Sequence, residues 1–343
     1  MRTILITGGA GFIGSNFLAH WSKRYPKDQI LVLDNLTYAG NPDNVSPKIK
    51  NEKKNFEFWY GNVCNAELLD TLVSRSDIVV HFAAESHVAR SIFDNKIFFE
   101  TDVMGTHAVS TAVLKNYKKV ERFIHISTSE VYGTAEYEPM DESHPLNPCS
   151  PYAAAKCGAD RLVYSFMKTY DFPAVIVRPF NNYGPYQHLE KVVPRFITSA
   201  LQNKPLTVHG SGDAMRDWLY VEDTCSRIDT IIHAPLNKVQ GEVFNIGSGE
   251  VISVLEVAEI ILKILKRPRS LINYIGDRPG QVDKHISSTK KMQDVLGIKP
   301  GRDFETGITQ TIDWYKKNQA WWERLEWMKH IKIRTKSGKV ELH

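Results

Sequence analysis

Five short apolar runs, at positions 3–7, 30–33, 78–82, 123–126 and 174–177, are separated by stretches of helical length at 15–23, 66–74, 98–116 and 152–170. Runs without polar alternation suit strands buried on both faces, as in a parallel sheet covered by helices. Strand-length and helix-length segments alternate, which predicts an α/β fold built on a doubly wound parallel sheet. After Arg178-Pro179 the texture changes: Asn181-Asn182-Tyr183-Gly184-Pro185 crowds turn formers together, and the later segments lose the regular alternation. Residues 1–180 therefore read as the sheet domain, with a return strand at 243–246. Residues 181–330 read as a smaller C-terminal α+β lobe, and 331–343 as a basic tail, solvated or frayed. Trp314, Trp321, Trp322 and Trp327 read as a terminal helix or turn packing its rings on the body.

With 343 residues, 42% hydrophobic and 24% charged, the chain has globular composition, and at roughly 150 residues per domain its length fits two units. It has no apolar run of about 18 residues, so no membrane span is expected. The net charge of +4 is small and partly local to 329–339. It lacks the basic stripe of a nucleic-acid binder, so nucleic acid is not an expected partner. Cys64, Cys149, Cys157 and Cys225 form no Cys-x-x-Cys pair, which argues against zinc ribbons and dithiol redox motifs; no metal is expected. Sparse thiols suit a reducing compartment, and the strand pattern starts at Thr3 with no leader-like run before it. The expectation is a cytoplasmic protein.

The first strand runs into Gly8-Gly9-Ala10-Gly11-Phe12-Ile13-Gly14, and a helical pattern follows. Glycines at 8, 11 and 14 keep side chains away from a tight turn that a pyrophosphate must approach, while the helix N-terminus offers free N–H groups to the anion. A lone glycine triplet is weak evidence. Here it lies between strand and helix, and Asp34 stands twenty residues past Gly14 at the end of the second strand. That carboxylate suits the two hydroxyls of an adenosine ribose and repels a 2′-phosphate, so the expected cofactor is NAD rather than NADP, on a Rossmann-type sheet.

Tyr152 and Lys156 stand four apart at the start of a helical segment, on one face. An ammonium there is expected to lower the phenol's pKa so that Tyr152 takes a proton from a substrate hydroxyl. Upstream, Ser127-Thr128-Ser129-Glu130 follows the strand at 123–126, where the ligand crevice of such sheets lies. Thr128 is placed to hydrogen-bond the same substrate oxygen. Glu130 adds a carboxylate that simple oxidation does not need. Once a hydroxyl becomes a ketone, the neighbouring C–H is acidic enough for a positioned base, and a hydroxyl one carbon further on can be eliminated. The resulting enone takes the electrons back, so the cofactor is restored and water is lost.

These residues resemble the extended short-chain dehydrogenase/reductase superfamily, and within it the nucleotide-sugar 4,6-dehydratases. The resemblance rests also on Asp34-Asn35-Leu36-Thr37-Tyr38-Ala39-Gly40-Asn41, His81-Phe82-Ala83-Ala84-Glu85-Ser86-His87-Val88, Asn181-Asn182-Tyr183-Gly184-Pro185-Tyr186, Arg216-Asp217-Trp218-Leu219-Tyr220-Val221-Glu222-Asp223 and Asp277-Arg278-Pro279-Gly280. It implies that Tyr152, Lys156 and Thr128 act at C4 of the sugar and Glu130 at C5. It places Phe12, Ile13, Asn35, Thr37, Asn62, Val63, Ala83, Ala84 and Ser86 at the cofactor, with the glycines and Asp34. Ser86, His87, Thr128, Asn181, Lys191, Val192, Arg216, Asn245 and Arg278 would hold a nucleotide-diphospho-sugar. It also implies a homodimer formed through the 98–116 and Tyr152 helices.

The sequence departs from the family at informative places. Ser129 stands where the members acting on dTDP-glucose carry an Asp thought to protonate the departing 6-hydroxyl. Thr128-Ser129-Glu130 is instead similar to dehydratases of GDP-mannose and of some nucleotide-linked N-acetylglucosamines. Asn62 replaces an adenine-binding Asp, and Gln281 a His of the diphosphate site. The resemblance favours dTDP-glucose, with UDP-N-acetylglucosamine the alternative. UDP-glucuronate decarboxylation is a further alternative, disfavoured because Tyr186 stands where that family carries an Arg for the substrate carboxylate.

Overall fold

The apolar runs become strands because each is followed by a helix long enough to return the chain to the same edge. The structure is a computed structural model that describes residues 1–276, 282–299, 301–334 and 338–342. Its strands are β1 Thr3–Thr7, β2 Gln29–Asp34, β3 Phe56–Tyr60, β4 Ile78–His81, β5 Arg122–Ile126, β6 Ala174–Pro179, β7 Asn181–Tyr183, β8 Leu206–His209, β9 Met215–Tyr220, β10 Val243–Ile246, β11 Val251–Ser253, β12 Ile272–Ile275, β13 Lys284–His285, β14 Lys332–Arg334 and β15 Val340–Leu342.

Seven strands form one parallel sheet in the order β10-β6-β5-β4-β1-β2-β3. The chain winds outward one way from β1 and then the other way from β4, so the strand order reverses between β1 and β4. A ligand crevice opens at the carboxyl ends of the strands at such a point. β3 is the strand that the apolar pattern misses. It is the sheet edge, Phe-Glu-Phe-Trp-Tyr with Tyr60 71% exposed, so it has no need to be apolar throughout.

Helix Phe12–Arg24 covers one face of the sheet and Pro151–Thr169 the other, each burying apolar side chains against it. The single helix expected over 98–116 is interrupted. Lys96–Phe98 leads into a wider π-helical turn, Phe99–Gly105, before Thr106–Lys115 resumes the α-helical pitch. Such turns are rare and concentrate at functional sites; this one carries Asp102.

A second apolar cluster, including Tyr183, Phe196, Ile197, Trp218, Ile261, Ile308, Tyr315 and Trp322, builds the rest of the molecule around smaller sheets, β11-β9-β13 with β7 on β9, and β12-β8. Trp321 and Trp322 are buried in it, and their indole N–H groups donate to Asn44 Oδ1 and Tyr315 O at 3.0 and 2.9 Å. Trp327 departs from the expectation at 69% exposed. It lies in the short turn Glu326–Lys329, whose buried residue is Lys329. The tail also differs from a frayed end. β14 and β15 pair antiparallel, with β14 beside helix Val88–Phe93, and Ile331 is buried against Ala89. Among the described residues no helix is long and apolar enough to cross a membrane.

One buried ion pair joins these layers. Arg178 of β6 holds both carboxylate oxygens of Asp160, on helix Pro151–Thr169, at 2.9 Å, and Ser127 donates to Asp160 Oδ2 at 2.7 Å. Burial alone would raise the Asp160 carboxyl, but Arg178, Arg161 and Ser127 outweigh it and hold the group well below the usual carboxylate range. Asp160→Asn should destabilise the fold by about 3–5 kcal/mol, the cost of leaving a buried charge unpaired, measurable by urea unfolding. A depressed carboxyl pKa stabilises above the unfolded value, near pH 4, and the contribution is lost as the pH falls below it. The variant's stability should therefore vary less steeply with pH on the acid side.

Candidate active site

The crevice at the carboxyl edge is a cavity of about 430 Å³. Its floor is the glycine turn. Gly8 has φ of +71°, and a Cβ there would lie 2.6 Å from Ala83 N; at Gly14 a Cβ would lie 2.2 Å from Gly8 O. Neither position has room for a side chain, so the backbone of β1 passes directly into helix Phe12–Arg24. Asp34, at the end of β2, accepts from the N–H groups of Ala10 and Leu36 at 2.8 Å each. Burial nonetheless raises its carboxyl above the usual value. Gly8, Gly11, Phe12, Ile13, Gly14, Asp34, Asn35, Thr37, Asn62, Val63, Ala83, Ala84 and Ser86 all line this half of the cavity.

Thr128, Ser129, Glu130, Tyr152 and Lys156 line the same cavity. Thr128 caps the short turn Ser129–Tyr132, its hydroxyl accepting from Glu130 N at 3.2 Å. Ser150 caps helix Pro151–Thr169, placing Tyr152 in its first turn; the Tyr152 N–H donates to Ser91 Oγ at 3.0 Å and the ring meets Phe98 edge-on. The electrostatics differ from the expectation of a phenol activated by Lys156. Burial pushes the Tyr152 phenol well up, the carboxylates of Asp102 and Glu130 push the same way, and the Thr128 hydrogen bond offsets them only partly. Lys156 is directed elsewhere: its ammonium donates to Ile126 O at 2.7 Å. Burial lowers its pKa, opposed by Asp102 and then Asp160.

Asp102 was not singled out from the sequence. It is fully buried, Oδ1 accepts from Glu85 N at 2.8 Å, and Oδ2 has no hydrogen-bond partner. Burial raises it to about 7 against the pull of Lys156. Its neighbours Phe99, Glu100 and Met104 are exposed, and no local pattern in the sequence marked Asp102 as the buried acid. Below it, His81 bridges Thr7 Oγ1 at 2.7 Å and Thr106 Oγ1 at 3.0 Å, and burial lowers its pKa to about 3. Glu85, His188 and Glu190 also line the cavity without having been singled out.

At the outer end of the cavity stand His87, Asn181, Lys191, Val192 and Arg216. Asn181 Oδ1 is buried with no protein partner. Lys191 donates to Ser86 O at 2.5 Å, and Arg216 to the carbonyls of Met215 and Val282 at 2.8 and 2.5 Å. Asn245, expected at the substrate, is not among the residues that line this cavity. It is fully buried, with Oδ1 accepting from the Tyr132 hydroxyl at 2.7 Å and Nδ2 donating to Met140 O at 3.1 Å, so it braces the loop behind Glu130. Arg278 lies outside the described residues. No group of three His, Cys, Asp or Glu side chains among the described residues is arranged to hold a metal.

A reversal point on a parallel sheet, floored by crowded glycines and walled by a Tyr-x-x-x-Lys helix, defines a nucleotide-binding fold of the short-chain dehydrogenase/reductase class. The chain belongs to the family described as GDP-mannose 4,6 dehydratase, whose model matches residues 5–311. It is 40% identical over 327 residues to a dTDP-glucose 4,6-dehydratase of Streptomyces niveus, covering 94% of this chain and 95% of that one. It is 41% identical over 312 residues to the low-salt glycan biosynthesis protein Agl12 of Haloferax volcanii, covering 91% and 98%. Among solved structures, it is similar to a double mutant of DesIV, a dTDP-glucose 4,6-dehydratase from Streptomyces venezuelae, with NAD and DAU bound. That match has a TM-score of 0.89 and 38% identity and covers 95% of this chain and all of that one.

The position of Asp102 yields a direct test. A protonated carboxyl band in difference infrared spectra, present at pH 5 and lost with a midpoint near 7, should be absent from Asp102→Asn. Identical spectra for both proteins over that range would place the Asp102 titration elsewhere.

Proposed function

We propose that the protein is an NAD-dependent nucleotide-sugar 4,6-dehydratase, a hydro-lyase that converts dTDP-glucose to its 4-keto-6-deoxy product. The observation that carries the reading is Glu130, a carboxylate on the same cavity wall as Thr128 and Tyr152. Oxidation at one carbon needs only a hydroxyl-binding acid/base; the additional carboxylate is what elimination from the next carbon requires. The residues present also fit the dinucleotide. The floor accepts nothing larger than glycine at positions 8 and 14, the helix N-terminus faces it, and the buried Asp34 carboxylate at the end of β2 suits ribose hydroxyls. Gly8, Gly11, Phe12, Ile13, Gly14, Asp34, Asn35, Thr37, Asn62, Val63, Ala83, Ala84 and Ser86 would hold it.

When bound, NAD supplies a two-electron acceptor that is restored within each turnover. Tyr152 and Thr128 bind the C4 hydroxyl, and Tyr152 takes its proton as C4 is oxidised. Burial favours the protonated phenol, an effect that must be offset for proton transfer, and Lys156 is the cation one turn along the same helix. Glu130 then removes the proton at C5, made acidic by the new ketone, and the 6-hydroxyl departs. His87, Asn181, Lys191, Val192 and Arg216 hold the nucleotide diphosphate, the guanidinium offering several donors to phosphate oxygens. Ser129 keeps UDP-N-acetylglucosamine as the second substrate reading.

Residues 1–180 with the strand 243–246 would form the cofactor domain and 181–330 the nucleotide-sugar lobe. A homodimer is supported by Phe93, Ile97, Phe99 and Met104, apolar side chains 41–56% exposed on the segment around the interrupted helix. We place the enzyme in the cytoplasm, where nucleotide sugars are made.

Purified protein offered dTDP-glucose, UDP-N-acetylglucosamine, UDP-glucose or GDP-mannose should yield a product lighter by one water without net consumption of cofactor, read by mass spectrometry. Carbon dioxide release would indicate decarboxylation instead, and an unchanged mass epimerisation. Glu130→Gln should keep NAD but halt elimination, so that reduced cofactor accumulates; full turnover removes Glu130 from the chemistry. Tyr152→Phe should slow even the first oxidation, by about 10²–10⁴ for a lost acid/base group.

A further inference from the structure

Dehydration needs an acid as well as a base, because hydroxide leaves poorly without a proton. The Glu130 carboxylate is committed to C5, and the Ser129 hydroxyl beside it is too weak an acid to act alone. Behind Ser129, on the side away from the cavity, lies a side chain that the reading above does not use. His285 of β13 is fully buried, its Nδ1 3.4 Å from Ser129 Oγ and its Nε2 2.8 Å from Gly133 O. A carbonyl only accepts, so Nε2 carries hydrogen, and Nδ1 is the position that exchanges a proton with the serine.

We propose that Ser129 and His285 form the proton relay that protonates the departing 6-hydroxyl, with His285 a positioning residue that acts through Ser129. This rests on the dehydratase reading and completes its acid half. As the C6–O bond breaks, its electron pair leaves with the oxygen, which takes the Ser129 hydroxyl proton and departs as water. The pair from the C5–H bond, freed as Glu130 takes that proton, becomes the C5–C6 double bond. His285 Nδ1–H restores the serine hydroxyl and the ring becomes neutral. The ring regains a proton from water, balanced by the proton that the C4 hydroxyl releases.

The surroundings make this protonation depend on substrate. Burial disfavours the charged imidazole; Glu130 favours it, and Arg216 and His144 oppose it. Arg216 occupies the register position paired with His285 in the neighbouring strand and is among the residues that line the cavity. A diphosphate bound there offsets the guanidinium's field, while Glu130 and the hydrogen bond to Gly133 O continue to favour the charged ring. Nucleotide binding thereby shifts the imidazole toward its charged form.

Two variants and one binding measurement test the relay. His285→Gln keeps an N–H for Gly133 O but has no proton to give Ser129; Ser129→Ala breaks the other link. With a substrate that the unaltered protein dehydrates, each variant should still oxidise C4. Reduced nicotinamide absorbance should then rise and persist while water loss falls about 100-fold, the scale of a lost acid. In His285→Gly, added imidazole should restore water loss. Titrating dTDP into the NAD-loaded unaltered protein, in buffers of differing ionisation heat at pH 7, should show proton uptake, and His285→Gln should show none. Normal dehydration by either variant overturns the relay alone, as does equal proton uptake in the two proteins. Loss of cofactor reduction together with dehydration in His285→Gln, without imidazole rescue, makes the histidine structural and rejects the relay. If the unaltered protein reduces its cofactor with no nucleotide hexose, the dehydratase reading fails and the relay with it.

Discussion

The Arg178–Asp160 pair holds the chemistry in place. Asp160 lies two helical turns beyond Tyr152, Arg178 is in the strand against which that helix packs, and Ser127, which donates to Asp160, immediately precedes Thr128. One carboxylate thus ties three segments that the chain separates. Arg178 continues the brace by donating to the Tyr132 hydroxyl at 2.9 Å, which donates in turn to Asn245 at 2.7 Å. The turn bearing Thr128, Ser129 and Glu130 is gripped at both ends by groups withdrawn from water. An ion pair this deeply buried gives little net stability over an apolar replacement, but losing one partner is expensive. Its evident use is registration of the turn against the helix.

Burial also sets the electrostatics of the cavity wall. Tyr152, Lys156, Asp102 and His81 are all driven towards their neutral forms by desolvation, the largest cause in each case. Local charges then distinguish them. Lys156 has Asp102 and Asp160 nearby, whereas Tyr152 has Asp102 and Glu130, which oppose phenolate. The cavity wall consequently favours neutral groups, and a charged ligand that changes its charge balance changes which group holds a proton. Ser129 lines the cavity and His285, buried beside it, is likewise driven toward its neutral form by burial, so the same rule extends behind the cavity wall.

Much of this was legible along the chain. Strands buried on both faces must be apolar throughout, so β1, β2, β4, β5 and β6 announce themselves, and the glycine spacing reports a turn with no room for side chains. β3 was not legible, because an edge strand with water on one side has no need of that pattern. Asn245 was expected at the substrate only through the family resemblance; its side chain is hydrogen-bonded to Tyr132 and Met140, more than a hundred residues away along the chain. Trp327 shares its composition with three packed neighbours and differs only in what lies beside it.

The sequence by itself determined the residue types and short spacings, and with them the layered fold, the glycine cradle and the acid and base candidates near Thr128 and Tyr152. Those signals are local, since helix pitch, strand period and turn sterics act over a few residues. Only the tertiary structure decided that Asp102 is desolvated beside Lys156, that Arg216 and His285 occupy adjoining strands, and that Ser129 backs onto an imidazole. Proton affinity and hydrogen-bond partnership depend on distance and on exclusion of water between distant segments, and neither quantity exists until the chain has folded.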